Sequence, residues 1–132
     1  MNEIAKVNLD KHEDERGVLI VSENIPFDVK RVFYVYMKPG KMRGQHANRS
    51  SEMLVFCQMG EVMVWAEQGG RRERIFLRDT ENRMLYVPSM TWIKYKAVSN
   101  GALLLVLCSE VYREEDYIRE YGEYEDALQS IG

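Results

Sequence analysis

Histidine and cysteine are scarce in this chain, with two of each among 132 residues. Cys57 and Cys108 stand inside apolar segments with no metal-ligand or redox spacing around them, so they read as core residues of a protein kept in a reducing compartment. Long apolar runs are missing too. The longest, Ala102 to Cys108, is far too short to span a bilayer, and the opening MNEIAKVNLDKHEDERG has no apolar stretch of the kind a signal peptide carries. A cytoplasmic location without a membrane partner is expected. Nor is positive charge in excess: 18 basic residues face 21 acidic ones for a net charge of −3, and the basic ones are scattered, so no nucleic-acid partner is expected. No linker, repeat or low-complexity tract divides the sequence, and residues 1–132 are read as a single domain long enough to bury a core.

What the chain does have is a rhythm of short apolar or alternating runs broken by turn residues. GVLIVSE (17–23), RVFYVYM (31–37), EMLVFCQ (52–58), EVMVWAE (61–67), RERIFLRD (72–79), MLYVP (84–88), WIKYKAV (92–98) and ALLLVLC (102–108) all read as strands. Eight strands in so small a chain predict an all-β sandwich or barrel. The turns QMGE (58–61) and EQGGRR (67–72) are tight reversals, and together they predict a three-stranded antiparallel meander. In its middle strand Val62, Val64 and Ala66 alternate with Met63 and Trp65, so both faces are expected to be covered. The tail changes period. Tyr117, Ile118, Tyr121, Tyr124 and Leu128 recur at helical intervals, which predicts one or two helical turns packing an aromatic stripe on the barrel.

One short segment carries candidate chemistry. In MRGQHANRSSE, Gly44 permits a bend, after which His46 and Asn48 share one face of an extended strand. If that face is the interior, His46 can take up and return a proton near neutral pH; otherwise it is a histidine that packs and hydrogen-bonds near a barrel rim. Arg43 and Arg49 flank it, and Arg16 precedes a strand; guanidinium groups near a cavity suit a diphosphate or a developing oxyanion. His12, among charges in DKHEDERG, reads as a solvated surface residue. A metal centre is not expected, because Asn48 stands where a second imidazole of an H-x-H pair would be and Glu52 is the one further candidate ligand nearby.

Five motifs in order resemble the sugar-nucleotide 3,4-ketoisomerases, cupin-fold enzymes of deoxysugar and O-antigen biosynthesis whose relatives include the WxcM-like C-terminal domains. DERGVL resembles their D-x-R-G-x-L opening, NIPFDVKRVFYVY their N-I-P-F-x-I-K-R-V-Y-Y segment and RGQHANR their R-G-x-H-A-H-K motif. LYVPSMTW is similar to Y-V-P-x-x-x-W, and SEVYREEDYIREY to the closing S-x-x-Y-x-x-x-D-Y-I-R-x-Y. The resemblance implies an all-β, RmlC-like cupin jelly-roll barrel with a short C-terminal helical segment. It also implies a homodimer with an exchanged N-terminal strand, acting without metal or cofactor on a thymidine diphosphate-linked 4-keto-6-deoxyhexose to give the 3-keto isomer. On the same ground His46 is the candidate carbon-directed base, Tyr34 a cavity-side catalytic tyrosine, and Arg16, Arg43, Asn48, Arg49 and Met53 candidate substrate contacts.

The departures from the family pattern fall in one presumed cavity. The second histidine of H-A-H is Asn48, the histidine after the late tryptophan is Ile93, and the usual glutamine after the strand glutamate is Met53. Asparagine can hold a hydroxyl but cannot shuttle a proton. Three readings therefore stand at this point: an isomerase with a reduced set of helpers, a non-catalytic cupin that binds a sugar nucleotide or scaffolds a partner enzyme, and an epimerase-like proton exchange beside the ketone.

Overall fold

All eight runs read as strands from their alternation are strands, and four further strands pair beside them. The structure, a computed structural model, describes residues 3–131. Within them the strands are β1 (Ala5–Asn8), β2 (Asp10–Asp14), β3 (Gly17–Val21), β4 (Arg31–Met37), β5 (Arg43–Asn48), β6 (Met53–Met59), β7 (Glu61–Gln68), β8 (Arg71–Arg78), β9 (Arg83–Val87), β10 (Trp92–Ala97), β11 (Ala102–Cys108) and β12 (Tyr117–Ile118). A 3-10 turn (Glu114–Asp116) precedes β12, and helix α1 (Tyr121–Ile131) closes the chain.

The strands form two five-stranded sheets, ordered β1-β9-β6-β11-β4 and β12-β5-β10-β7-β8, with all named pairs antiparallel. The inner faces of both sheets meet in one core, in which Val35, Val55, Leu104 and Val106 of the first sheet pack with Val62, Val64, Ile75 and Ile93 of the second. This is a jelly roll of two facing sheets, and among the described residues no hydrogen-bonded ladder closes it into a continuous barrel. The all-apolar run ALLLVLC follows from its position. Leu104, Val106 and Cys108 are buried in the core, while Leu103, Leu105 and Leu107 lie on the half-covered outer face. Ala5, Val7, Ile25 and Phe27 cover part of that outer face around Leu54, Met84 and Tyr86.

Two local expectations are corrected. The meander is not formed: β7 pairs with β8 and β10, whereas β6 pairs with β9 and β11, so Gly60 turns the chain from one sheet into the other. The corner is tight. Gly60 has φ +85°, and a Cβ there would lie 2.6 Å from both the Gly101 carbonyl oxygen and Ser99 Oγ, which excludes any larger residue without displacement. In the tail, Tyr117 and Ile118 are not helical, because their backbone pairs with Asn48 and Ala47 of β5. The helix after them runs 11 residues, longer than the one or two turns expected. Its stripe packs as expected, with Tyr124 fully buried and its hydroxyl 2.9 Å from the carbonyl oxygens of both Glu67 and Met90, which share its one proton. No described helix is long and apolar enough to cross a membrane.

Hairpin β2–β3 stands apart. It pairs with itself and belongs to neither large sheet, and Val18 and Leu19 on it are exposed. His12 lies exposed on its first strand.

Candidate active site

The site is organised by an irregularity in β5. Residues 43 and 46 of a regular strand would face opposite ways. Here Gly44 (φ +84°) and Gln45 (φ +61°) form a bulge, so that Lys94 of β10 lies opposite Gly44, Tyr95 opposite Arg43, and Ile93 opposite His46. Directly opposed residues share a face, which brings Arg43 and His46 to the same inner side and turns Gln45 outward. Glycine is required at 44 for a second reason: a Cβ there would lie 3.0 Å from the Tyr95 ring and from the Ile93 carbonyl.

On that inner side is a cavity of about 30 Å³, whose titratable lining groups are His46, Tyr95 and Tyr117. The rest of the lining is apolar, including Phe33, Met53 and Ile93. So small a space holds about one water, and a larger ligand has to be received at its mouth. Burial pushes the His46 imidazole below its ordinary value of 6.5, a backbone hydrogen bond with Gly44 opposes this, and the charges of Arg119 and Arg31 add to the lowering. His46 is therefore neutral at pH 7, the form that can accept a proton.

Cations and phenols crowd the mouth. The Tyr117 ring lies 5.0 Å from His46, and its hydroxyl accepts from Arg31 at 2.9 Å. Arg31 is itself stacked between Phe33, at 4.7 Å, and Tyr112, at 5.2 Å. Arg119 lies over Tyr117 at 4.6 Å but is already bound in a fork by Glu114, at 2.7 and 2.8 Å, which holds the Glu114 carboxyl down to about 2. Among the described residues no carboxylate pairs with Arg31 or Arg43. These two guanidinium groups are thus available to an anionic ligand.

Of the residues singled out from sequence, His46, Arg43 and Met53 come together here. The others do not. Tyr34 points outward from β4 and is 57% exposed, because Phe33, Val35 and Met37 take the inward positions of that strand. Arg16 is at the tip of the free hairpin, bound to Asp14 at 2.6 Å, and does not line the His46 cavity of its own chain. Arg49 is drawn to the helix by Glu123 at 2.9 Å. Asn48 is buried and donates at 3.0 Å to Asp116, which also accepts from the backbone of Ser50 and Ser51, so its amide is committed to holding a loop. Glu52 accepts from Tyr86, and lines a surface cleft by the helix instead of the His46 cavity. Among the described residues no three histidine, cysteine or carboxylate groups gather to hold a metal ion.

Sequence reasoning missed Arg31, Tyr95 and Tyr117. Arg31 and Tyr117 were inside quoted motifs, and Tyr95 is two residues from Ile93 on the same strand face, a signal that the alternation of WIKYKAV carries. A larger cleft, about 890 Å³, lies on the outer face of the second sheet beside Trp65 and Trp92. Its two carboxylates are already engaged, Glu67 by Tyr121 and Arg72 and Glu73 by Arg71. Size favours that cleft, but an imidazole near phenols and near guanidinium groups that no described carboxylate neutralises makes the His46 cavity the chemically competent one.

Comparison with known proteins identifies the family. Residues 2–129 match the family model FdtA: WxcM-like, C-terminal. The chain is 34% identical over 129 residues to TDP-4-oxo-6-deoxy-alpha-D-glucose-3,4-oxoisomerase of Aneurinibacillus thermoaerophilus, covering 95% of this chain and 92% of the relative. Among solved structures it is similar to a 3,4-ketoisomerase from Helicobacter canadensis, at TM-score 0.90 and 34% identity over 98% of this chain and 99% of the other. It is also similar to QdtA, a sugar 3,4-ketoisomerase of Thermoanaerobacterium thermosaccharolyticum in complex with TDP, at TM-score 0.89 and 31% identity over 96% and 95%. The likeness extends below 25% identity to RmlC-type epimerases, where it is a likeness of fold alone.

Proposed function

Because this chain belongs to the FdtA family of WxcM-like C-terminal proteins, we propose that His46 is the base that moves a proton between adjacent carbons of a nucleotide-linked keto sugar. The protein is a TDP-sugar 3,4-ketoisomerase of deoxysugar biosynthesis with an RmlC-like cupin fold. The observation that carries the residue assignment is a half-buried imidazole on the inner face, near Arg31 and Arg43, which have no carboxylate partner among the described residues.

The chemistry follows from those groups. The hydrogen on C3 is acidified by the C4 ketone, since its removal gives an enediolate, and a proton delivered to C4 completes the shift. His46 removes the first and returns the second. Arg43, on the same inner side, offsets the charge that develops on the enediolate oxygen, and Arg31 at the mouth holds the diphosphate. Asn48 cannot exchange protons and is tied to Asp116, so one imidazole serves both carbons.

The homodimer belongs to this proposal. β1 pairs with β9 of its own chain, which leaves hairpin β2–β3 as the segment free to exchange. Arg16 would then serve the partner's site, a reading supported by the hairpin that bears it pairing with neither large sheet and contributing no residue to the lining of its own cavity.

The test is incubation with TDP-4-keto-6-deoxyglucose in deuterated water, following label at C3 and C4 together with conversion. The isomerase incorporates deuterium and forms the 3-keto product, and His46→Asn lowers both by at least about 10²-fold. Retention of nucleotide binding with no exchange in the unmodified protein would instead favour a binding or scaffolding cupin.

A further inference from the structure

The reaction needs more than a carbon base. When C3 loses its proton and the C4 carbonyl becomes an oxyanion, O4 has to gain a proton; when the product carbonyl forms at C3, O3 has to lose one. Neither Met53 nor Ile93, which line this cavity, nor Asn48, which is tied to Asp116, can carry a proton. The titratable groups left beside His46 are Tyr95 and Tyr117.

Geometry separates the two tyrosines. Tyr117 sends its hydroxyl to Arg31 on β4, and its ring is enclosed by His46, Tyr112 and Arg119. Tyr95 is on β10, two residues along the inner face from Ile93, and Ile93 is directly opposite His46. Across an antiparallel pair that makes His46 and Tyr95 diagonal neighbours, separated by about 7–8 Å. That spacing suits a sugar received at the mouth of the cavity, whose C3–C4 edge would present a carbon to the imidazole and the neighbouring oxygen to the phenol. Arg43, directly opposite Tyr95 across the strand pair, is the cation nearest in influence to its hydroxyl, and a guanidinium only donates, so Tyr95 keeps its own proton to give. Burial holds Tyr95 protonated above its ordinary range, with Arg43 opposing, so the phenol enters the reaction as an acid.

We propose that Tyr95, on the inner face beside Arg43, is a catalytic residue that carries the proton from O3 to O4 while His46 carries the proton from C3 to C4. The inference rests on the isomerase reading above. The sequence of transfers balances. His46 takes the C3 proton, the C3–H electron pair becomes the C3–C4 double bond, and the carbonyl pair moves to O4, which takes the Tyr95 proton. The resulting phenolate, stabilised by Arg43, takes the O3 proton; the O3–H pair forms the new carbonyl, and the double-bond pair takes the proton back from His46 at C4. Both side chains end as they began, and no oxidant, reductant or metal is consumed.

Tyr95→Phe removes the hydroxyl and keeps the ring packed on Gly44. In deuterated water with TDP-4-keto-6-deoxyglucose, this variant is expected to keep C3 exchange within about tenfold of the unmodified protein while conversion to the 3-keto sugar falls roughly 10²- to 10⁴-fold. That split distinguishes an oxygen-directed donor from a packing residue, which would depress both together. Conversion by Tyr95→Phe close to the unmodified rate would overturn the proposal, as would a parallel loss of exchange and conversion with TDP affinity intact. So would the split appearing in Tyr117→Phe and not in Tyr95→Phe. An unmodified protein that neither exchanges nor converts overturns the isomerase reading, and the shuttle with it.

Discussion

His46 is neutral because its surroundings disfavour the charged form: it is half-buried, and Arg119 and Arg31 both face it. A base with a lowered value works to lower pH than a free imidazole. The acid limb of kcat/KM is therefore expected below 6.5, and Arg31→Gln, which removes one of the opposing charges, is expected to move that limb upward. A pH–rate profile of both proteins checks this; an unchanged limb in the variant would show that Arg31 does not act on His46. The same lowering sets a direction for stability. The folded state binds the His46 proton less readily than the unfolded chain, so stability present above 6.5 is eroded as pH falls through the lowered value. His46 was legible from its type and spacing. Tyr34 was not, because RVFYVY places aromatic residues on both faces of one strand, and alternation alone cannot say which face turns inward. Burial of Val35 and Met37 decides it, and the inward aromatic residue is Phe33.

At the scale of the elements, strand positions were legible and strand partners were not. Apolar alternation is local and survives in any sheet order, whereas pairing depends on contacts far apart in sequence. Gly60 shows the difference: a glycine in QMGE reads as a hairpin turn, yet here it is a corner between sheets. The distinction is measurable. Gly60→Ala places a Cβ against Gly101 and Ser99 in a left-handed conformation, and is expected to destabilise the protein by roughly 1–3 kcal/mol or more in urea unfolding. Gly69→Ala, at a true hairpin turn with open space around it, meets only the backbone penalty and should cost less. The bulge at Gly44 and Gln45 was hidden for a related reason. RGQHAN is compatible with simple alternation, and only the register against β10 reveals the extra residue that aligns Arg43 with His46.

At the scale of the whole molecule, the free hairpin is what would let the proposed site be shared between two chains. If Arg16 serves the partner's site, Arg16→Ala and His46→Asn subunits, each inactive alone, regain activity when mixed through unfolding and refolding. A statistical mixture contains half mixed dimers, each with one intact site, so about a quarter of full activity is expected. Persistent inactivity of the mixture would place Arg16 with its own chain or outside the reaction. The sheet order bears on how such a molecule is made. In the order β1-β9-β6-β11-β4 no two strands adjacent in sequence lie side by side, and in the second large sheet only β7 and β8 do. On the ribosome, then, the first sheet has no complete set of partners until residue 108 has emerged. The β7–β8 hairpin is the one local pairing within the core around which the rest can gather. The waiting strands meanwhile expose the apolar runs that later form both faces of the sheet, so the nascent chain is most vulnerable to aggregation during synthesis of its last third.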